Sequence, residues 1–587
     1  MFAVRHACIV GSMSRRRQGK GERKPRGREE KGAATAQTPA KWGAFAVLTI
    51  AAMVVTAYFP VFGAGFTNWD DDRFFTDNPL FHGPVAAYVA AALTRVQFQA
   101  YHPLHLLSYL PDRLFWADQP EGFHALNLAL FITALALGYF LLRRTVSLWP
   151  ALAAILLVGL SPLAVEPVAW VVGRKDVLAL ALLLATLLVV DRDQPTRRST
   201  LVGCALAVAA CLAKTSAVVL PIVLFAWLRF VRDLPWRDAL RRCIPFAVIA
   251  FAFAVPVPFI WQKNQMIPSG RPLPLALDVL GTLGVYASHV FAPTRLSPVY
   301  PTMVRGQALA GLVTVTALLA IVGLWKRLPS AAKFAVVAFL GCLLPVANIT
   351  PLYFRFADRY ALLAVVVLAW PLAKLFAWQP ARKIVLLGVP VLLGVELWAT
   401  MKLVPVWNDS LSLWQHATAA QPGAVYGYLK LGETYRVGKR YHDAAGAYLR
   451  AGEIEPHGIK GPAGLLHTMG ERAEAEGQVP AGSTKEWEDT LADKRFDARQ
   501  MDTLIESIDL TGCRSCAEAA LWLAVRMYPQ KDKSLVNFAR KALERGRTST
   551  AMVYLSEVAD TNVEGFMDVV RMLKEKQTQQ NPSASAQ

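Results

Sequence analysis

The stretch WGAFAVLTIAAMVVTAYFPVFGAGFTNWDDDRFFTDNP, residues 42–79, joins a long apolar segment to an acidic one. About 20 consecutive apolar residues can cross a bilayer as a helix, so the sequence predicts a first membrane span over residues 42–62. Asp70, Asp71 and Asp72 follow this span closely. Carboxylates at a membrane surface must stay hydrated, paired or bound. The run indicates either a base that acts on a lipid-borne substrate or a solvated turn with helix-capping Asp and Asn.

Composition places most of the chain in a membrane. Of its 587 residues, 54% are hydrophobic and 18% are charged, whereas soluble domains carry about 25% charged residues. The predicted fold is all-α, a polytopic membrane helical bundle of about eleven spans followed by a soluble α-helical domain. The predicted divisions are a disordered basic tail, the membrane domain with a long outer loop at 63–122, the soluble domain and a disordered end, at 1–40, 41–402, 403–575 and 576–587.

Charge predicts the orientation. The net charge of +19 comes largely from the N-terminal tail and from short loops between apolar segments. That distribution is typical of topology signals that face the cytoplasm, and it argues against a nucleic-acid partner. We therefore expect a cytoplasmic N-terminus and a soluble domain on the outer side. Residues 276–294 either cross the membrane or form a half-helix or interfacial helix, and the second alternative keeps the basic loop 325–333 inside.

Five cations break this charge bias on the outer side. A charged side chain at membrane depth costs energy unless it reaches water or has a partner, so a group of them facing the acidic loop suggests a site for an anion. The arginine fork and the lysine point charge both suit phosphate. The alternative is that they pair with Glu166, Asp176 and Asp358. The cations are Arg174, Lys175, Lys214, Arg355 and Arg359.

The soluble part begins with a repeat-like segment. PGAVYGYLKLGETYRVGKRYHDAAGAYLRAGEIEP, residues 422–456, predicts two amphipathic helices with Gly438 at the turn. Its small and aromatic positions match the tetratricopeptide pattern of about 34 residues. Such repeats offer a concave surface to peptides, or the segment only packs against the membrane domain. Later helices that could continue the stack are predicted at 517–529 and 534–559.

Cysteine usage is sparse. Cys513 and Cys516 form a C-R-S-C motif in the soluble domain. A single pair is a weak zinc signal, and in an oxidising compartment it favours a local disulfide. The cysteines in apolar segments are predicted to be inert core residues.

Several motifs occur in an order that is specific as a set. They are NWDDDRFFTDNP (68–79), YHPLHLLSYLPDRLFWADQPEGFHALNLALF (101–131), SPLAVEPVAWVVGRKDVL (161–178), CLAKTSAVVLP (211–221), FAPTRLSPVYP (291–301), LLPVANITPLYFRFADRYALL (343–363) and VWNDSLSLWQHA (406–417). Through them the chain resembles the protein O-mannosyltransferases that join a multi-spanning membrane domain to tetratricopeptide repeats, and their bacterial relatives. More distantly it resembles the polyprenyl-phosphate-dependent glycosyltransferases with the GT-C fold. The resemblance covers roughly residues 45–456.

The resemblance implies a membrane enzyme of the bacterial inner membrane. It would transfer a sugar, by analogy mannose, from a polyprenyl-phosphate donor to a Ser or Thr hydroxyl of a protein or peptide outside the cytoplasm. Asp70 or Asp71 would be the base, and the five outer cations would stabilise the departing lipid phosphate. Glu166 would position acceptor or sugar, unless it forms a salt bridge with Arg174. Further site residues implied by the motifs are Asn78, His102, Asp358 and Tyr360.

Two points stay open at this stage. The resembled family usually carries His-Pro-x-His-x-Glu in the third motif, where this chain has Ser161 and Ala164 before Glu166. The role of those histidines is then absent or supplied by His102 or His105. The chemistry does not require a cofactor, although adjacent aspartates such as Asp70 and Asp71 could bind Mg²⁺ or Mn²⁺.

Two other classes of function are also compatible with the sequence. One is a transferase on the same scaffold that acts on lipid A or another envelope glycan. The other is a non-catalytic assembly factor, or a transporter, that docks partners through its repeats. Transport is the less favoured of these, because the ionisable residues cluster on one side, whereas transport sites usually lie near the midplane.

Overall fold

A computed structural model gives the fold. It describes residues 40–98, 100–263, 273–304, 306–455, 531–544, 548–556 and 558–580, with single positions between 460 and 471. Within these ranges the chain forms helices, turns and loops and no β-strand, which confirms the all-α prediction. The predictions for the tail before residue 40, for residues 517–529 and for Cys513 and Cys516 lie outside the described residues.

The helices follow one another with short connections. Those up to residue 263 are α1 (Ala40–Tyr58), α2 (Pro79–His82), α3 (Val85–Thr94), α4 (Pro103–Leu107), α5 (Leu110–Phe115), α6 (Pro120–Leu142), α7 (Leu148–Gly159), α8 (Val165–Ala169), α9 (Arg174–Val190), α10 (Arg197–Ala213), α11 (Leu220–Ala226), α12 (Trp236–Ala254) and α13 (Pro256–Lys263). Those that follow are α14 (Leu275–Phe291), α15 (Gln307–Leu324), α16 (Ser330–Leu343), α17 (Leu362–Val367), α18 (Ala369–Phe376), α19 (Arg382–Leu403), α20 (Ser410–Ala420), α21 (Val425–Val437), α22 (Tyr441–Ile454), α23 (Lys531–Glu544), α24 (Thr548–Ser556) and α25 (Phe566–Gln580).

Five described helical segments are long and apolar enough to cross a membrane. They are Lys41–Gly63, Pro120–Leu142, Trp236–Gln262, Gln307–Leu324 and Arg382–Trp407. Two bent pairs bring the number to seven if each pair is one span, namely Leu148–Gly159 with Pro162–Ala169 at 59° and Asp358–Val367 with Ala369–Phe376 at 42°. The first bend falls at Pro162, which has no N–H with which to continue the helix. These helices fit the predicted membrane protein, while the count of eleven spans stays a prediction.

The bundle has two ends that differ in charge. At one end, here called the site end, Trp170 Nε1 donates to the backbone oxygen of Trp69, and Gly65 N donates to the backbone oxygen of Asn408. At the opposite end, Arg144 contacts Asp191 and Phe230 contacts Trp325. The contacts of the opposite end join the loops near 143–147, 191–198, 227–242 and 325–330.

Helix α14 belongs to the site end along its whole length. Asp278 in its first turn pairs with Arg355, and Tyr286 OH accepts from the backbone N–H of Ala357 at 3.2 Å. Because these contacts run along a single loop, α14 lies beside that loop. It also packs along the start of α15, where a Cβ at Gly284 would lie 2.5 Å from the Ala310 backbone oxygen. This arrangement agrees with the half-helix or interfacial alternative, and Trp325 then lies at the opposite end, as that alternative requires.

The repeat-like segment folds as predicted into a pair of helices, α21 and α22, on either side of Gly438. Together with α20 it packs on the first acidic loop. Asn68 N donates to Ser410 Oγ at 2.9 Å, and Asn68 Nδ2 donates to Thr434 Oγ1 at 3.2 Å. Trp414 Nε1 donates to Asn68 Oδ1 at 2.5 Å. The soluble helices are therefore anchored directly beside the three aspartates.

The C-terminal helices also follow the sequence in part. The predicted helix at 534–559 is two helices, α23 and α24. Helix α25 continues to Gln580. The prediction that the disordered end begins at residue 576 is therefore wrong, because residues 576–580 are helical. The assignment of these helices to a tetratricopeptide array stays a prediction.

Candidate active site

The acidic run is a tight turn at the site end. Asp71 Oδ2 accepts two hydrogen bonds from Thr67, one from the backbone N–H and one from Oγ1, both at 2.8 Å. Asp70 has φ of +75°, a left-handed conformation that non-glycine residues seldom adopt. Strained backbone of this kind persists where surrounding contacts fix it. Here the Thr67–Asp71 pair closes the turn, and Asp70 is held at its apex.

Asp71 is an interior carboxyl. It is 1% exposed, and its Oδ1 has no hydrogen-bond partner of ordinary geometry, although the nearby Val172 N–H favours its charged form. Burial is the larger effect and raises the pKa of Asp71 to about 7, because a low dielectric penalises the carboxylate. The folded protein thus keeps a proton that the unfolded chain releases at lower pH. Stability falls as pH rises from about 4 to about 7.

Asp70 is the accessible carboxylate of the run. Its side chain is 41% exposed, and its nearest basic partner, Arg73, lies 3.9 Å away. Asp72 Oδ1 accepts from the backbone N–H of Arg73 at 2.9 Å, and partial burial raises the pKa of Asp72. A base must reach the hydroxyl proton that it removes. Of the two sequence candidates, Asp70 meets this condition in the structure and Asp71 does not.

Aromatic rings surround the cation at the centre of the site. The guanidinium carbon of Arg359 lies 5.7 Å from the ring of Trp69, 5.4 Å from Trp170 and 5.1 Å from Tyr360. Cation–π contacts of this length are favourable. Trp69 is itself buried against Trp414 at 5.3 Å. Trp69, the residue before Asp70, therefore connects the acidic turn to Arg359 and to the soluble helices.

Glu166 is the carboxylate partner of Arg359. Glu166 Oε1 pairs with Arg359 Nη1, and Glu166 Oε2 accepts from the backbone N–H of Arg359 at 2.8 Å. Both residues are buried. The alternative of a salt bridge between Glu166 and Arg174 is wrong, whereas the more general expectation that Glu166 neutralises one of the outer cations is confirmed. The pair fixes the loop that carries Tyr360.

Arg174 lies in a different, fully buried pair. It has no exposed surface and makes a two-pronged pair with Asp112, with Nη2 donating to Asp112 Oδ1 at 2.8 Å. Arginine has five N–H donors, and each of them has a partner here. The remaining partners are Asn127 Oδ1 at 2.6 Å, the Ser108 backbone oxygen at 2.9 Å and the Phe123 backbone oxygen at 3.0 Å. This arrangement assigns Arg174 to the architecture of the first loop and leaves it no donor for a phosphate.

Lys175 and Lys214 are the remaining two of the five outer cations. Lys214 pairs with Asp176 and lies over the Tyr360 ring at 5.9 Å. Lys175 lies over the Trp170 ring at 5.0 Å and, in the described ranges, forms no salt bridge with a carboxylate. Lys175 also lies within electrostatic range of Lys214, Asp176, Arg359 and Asp70. Asp176 is thus engaged by Lys214, and this corner of the site holds one cation, Lys175, with no carboxylate salt bridge in the described ranges.

Arg355 and Asp358 are held away from this corner. Arg355 pairs with Asp278 of α14. Asp358 accepts from Ser297 N at 2.8 Å and from Tyr300 OH at 2.6 Å. Both contacts join α14 and the loop after it to the loop at 344–361, so they position the loop that carries Arg359. The structure brings neither residue to Asp70.

Asn78 and His102 have local structural contacts. Asn78 caps α2, since Leu80 N donates to Asn78 Oδ1 at 3.0 Å. The backbone N–H of Thr215 donates to His102 Nε2 at 3.2 Å, so this nitrogen is an acceptor. Burial and the nearby Lys175 and Lys214 lower the pKa of His102 to about 3. A neutral His102 thus holds the loop that carries Lys214.

His105 does not replace the missing histidines of the third motif. His105 Nε2 lies 2.8 Å from Tyr109 OH, which in turn donates to the Val171 backbone oxygen at 3.0 Å. This buried chain of contacts fixes the turn before Arg174. His105 therefore supports the scaffold beneath the acidic run.

The carboxylates of the site do not form a metal centre. The described residues contain no group of three or more His, Cys, Asp or Glu side chains that could hold a metal ion. Asp71 is directed to Thr67 while Asp70 stands at the apex of the turn, so the pair does not offer converging oxygens. The donor set thus does not fit the Mg²⁺ or Mn²⁺ that the adjacent aspartates suggested.

Several residues of the site were not anticipated from the sequence. Asp112 and Asp278 are the partners of Arg174 and Arg355. Asp278 stands alone in an apolar segment, where a buried charge needs a partner, whereas Asp112 is followed directly by Arg113. Trp69 and Trp170 stack around Arg359, a role that a one-dimensional motif does not reveal.

Comparison with known proteins does not assign this chain to a family. Neither protein-family models nor curated proteins match this chain. Its function is therefore argued from its own motifs and from the geometry of the site.

Proposed function

We propose that the protein is a membrane glycosyltransferase that moves a sugar, by analogy mannose, from a polyprenyl-phosphate donor to a Ser or Thr hydroxyl of a protein or peptide. The observation that carries this proposal is that Lys175 lies within electrostatic range of Asp70. Asp70 is an accessible carboxylate at the apex of a fixed turn, and Lys175 is a cation without a carboxylate salt bridge in the described ranges. Hydroxyl attack on a sugar phosphate requires a base and a cation that act on the same substrate.

The roles follow from the chemistry of the transfer. Asp70 takes the proton from the acceptor hydroxyl as its oxygen forms a bond to the anomeric carbon. The bond between that carbon and the phosphate oxygen breaks, and its electron pair leaves with the lipid phosphate. Lys175 and Lys214 stabilise the negative charge that this oxygen acquires. The transfer as written uses no oxidant and no external cofactor.

The other sequence candidates support this arrangement from a distance. Glu166 and Arg359 neutralise each other beneath the aromatic rings, and Asp71 closes the turn that carries Asp70. The soluble helices lie beside Asp70 through Asn68, which is the place where a peptide acceptor would arrive. We therefore propose that α20 to α22 begin a tetratricopeptide-like domain that presents the acceptor.

Charge supports the orientation that this function needs. The loops of the opposite end, at 143–147, 191–198, 229–242, 325–333 and 374–383, contain sixteen lysines and arginines and four aspartates. By the positive-inside rule, this end faces the cytoplasm. The site end and the soluble helices then face outward, on the periplasmic side of a bacterial inner membrane, in a membrane domain of about eleven spans.

The experiment compares a deletion strain complemented with wild type, with Asp70→Asn or with Asp72→Asn. Glycoproteomics and lipid analysis of the envelope provide the readout, and membrane levels of each variant are matched by immunoblot. We expect glycosylated peptides to disappear with Asp70→Asn and to persist with the neighbouring Asp72→Asn control. Loss of a modified lipid or glycan instead would support the alternative acceptor class. Full complementation by Asp70→Asn would contradict the enzymatic proposal and favour an assembly factor.

A further inference from the structure

The opposite end of the bundle carries arginines that its own aspartates do not neutralise. Asp191 is 4% exposed and accepts from Arg144, from Arg232 and from Trp227 Nε1. Asp193 pairs with Arg232 as well. The local carboxylates are thus already engaged, chiefly by the two arginines that tie the helices together.

Three further arginines form no salt bridge with a carboxylate in the described structure, and a fourth has only a distant one. Arg197 and Arg198 form the start of α10 and are exposed. Arg237, in the first turn of α12, is exposed and lies 5.4 Å from the ring of Trp236. Arg241 has only Asp238, at 4.0 Å, and its side chain is 78% exposed.

Arg242 brings these two helix starts to one place. Its Nη1 and Nη2 donate to the backbone oxygens of Arg192 and Asp193 at 2.9 and 3.0 Å, which lie in the loop that leads into α10. Further along, α10 and α12 pack closely, so that a Cβ at Gly203 would lie 3.3 Å from Phe246. The N-termini of both helices, with their positive dipole ends, therefore share one basic surface, here called the α10–α12 surface.

An apolar stripe begins at this surface and runs along α12. Trp236, Leu240, Ile244, Val248 and Phe251 are 57%, 50%, 54%, 64% and 72% exposed. Their spacing of three or four residues puts them on one face of the helix. An exposed aromatic residue beside arginines, followed by an exposed apolar stripe, matches the headgroup level and the acyl region of a bilayer in that order. A soluble anion would engage the arginines and leave the stripe unused.

We propose that the α10–α12 surface binds an anionic phospholipid, with its phosphate on Arg197, Arg198 and Arg237 and an acyl chain along the stripe. This inference is independent of the sugar-transfer proposal, because it concerns the other end of the bundle. Each arginine near an anionic membrane surface contributes about 1 kcal/mol, which is about fivefold in affinity. Removal of three arginines should weaken binding about 100-fold.

The test uses the full-length protein in a neutral detergent. Native mass spectrometry measures binding of phosphatidylglycerol and of phosphatidylcholine to wild type, to Arg197→Gln/Arg198→Gln/Arg237→Gln and to a matched control, Lys326→Gln/Arg327→Gln/Arg382→Gln. The control removes the same charge from exposed positions of the same end. Thermal unfolding without added lipid verifies that each variant folds.

We expect wild type and control to prefer phosphatidylglycerol and the first triple variant to lose that preference. Equal binding of the two lipids by wild type would overturn the proposal, and so would equal losses in both triple variants. A third arm adds glycerol 3-phosphate, which has the headgroup charge without acyl chains. Displacement of phosphatidylglycerol by this compound at equal concentration would identify a soluble-anion site and refute the lipid assignment.

Discussion

The buried pair of Arg174 and Asp112 offers a sharp test of how the first loop is held. Both side chains are 0% exposed, so Asp112→Asn leaves the arginine charge without compensation in the interior. Breaking a buried pair in this way costs about 3–5 kcal/mol. Arg174→Gln removes the five N–H donors and should cost a similar amount. In the double variant two neutral amides face each other, so the loss should be smaller than the sum of the single losses by about 2–3 kcal/mol.

The assay is unfolding of the purified protein in detergent, followed for wild type, both single variants and the double variant. Asp118→Asn is the matched control, because Asp118 is 67% exposed and lies 3.9 Å from His82, where an exposed pair contributes less than about 1 kcal/mol. Strict additivity of the two single losses would refute the buried-pair interpretation. If the role of Arg174 is only structural, the folded double variant should also keep the wild-type KM for polyprenyl-phosphate mannose. A selective rise in that KM would indicate that Arg174 binds the phosphate of the donor.

Three further predictions concern the acidic turn and its surroundings. The pKa of Asp71 is raised to about 7, so the free energy of unfolding of wild type should fall by about 4 kcal/mol relative to Asp71→Asn between pH 4 and pH 8. Thermal unfolding across this pH range measures the difference. Parallel pH profiles of the two proteins would contradict the burial of this carboxyl. Gly173→Ala should destabilise the protein by about 1–3 kcal/mol, since the new Cβ would lie 2.6 Å from the Pro167 backbone oxygen. Gly446→Ala is the control, because a Cβ at this position would have nothing within 4 Å. It should be neutral or stabilising by up to about 1 kcal/mol. Asn68→Ala should speed limited proteolysis of the segment 404–455 without unfolding the membrane domain, and unchanged cleavage would argue against this anchor.

The sequence was sufficient for the fold wherever a single periodic pattern decides it. The first apolar helix and the hairpin around Gly438 lie close to their predicted bounds, because apolar length and helical spacing are local properties. The bend at Pro162 and the placement of α14 beside the 355–358 loop depend on tertiary contacts. Charge bias favoured the alternative for α14 with which this placement agrees, since topology signals also lie in the loops.

The candidate site was only partly predictable, because a motif identifies charged residues without their partners. Arg174 and Lys175 are adjacent in sequence, yet one is enclosed by Asp112 and the other lies over Trp170 near Asp70. Likewise, Asp70 and Asp71 are adjacent, yet Thr67 binds the buried carboxylate of Asp71, while that of Asp70 stays exposed. Burial and pairing are decided by residues far away in the chain, so the choice among chemically equal candidates needed the structure.

The central claim is that Asp70 removes the acceptor proton beside a lysine that receives the lipid phosphate. The most direct measurement is transfer by the purified full-length protein, with polyprenyl-phosphate mannose and a Ser/Thr-containing peptide, followed as release of polyprenyl phosphate and formation of glycopeptide. We expect wild type and Asp72→Asn to form glycopeptide and Asp70→Asn to lose at least about 100-fold of the rate, within the usual range for general-base catalysis. Equal rates for Asp70→Asn and wild type, with each variant folded, would contradict the account.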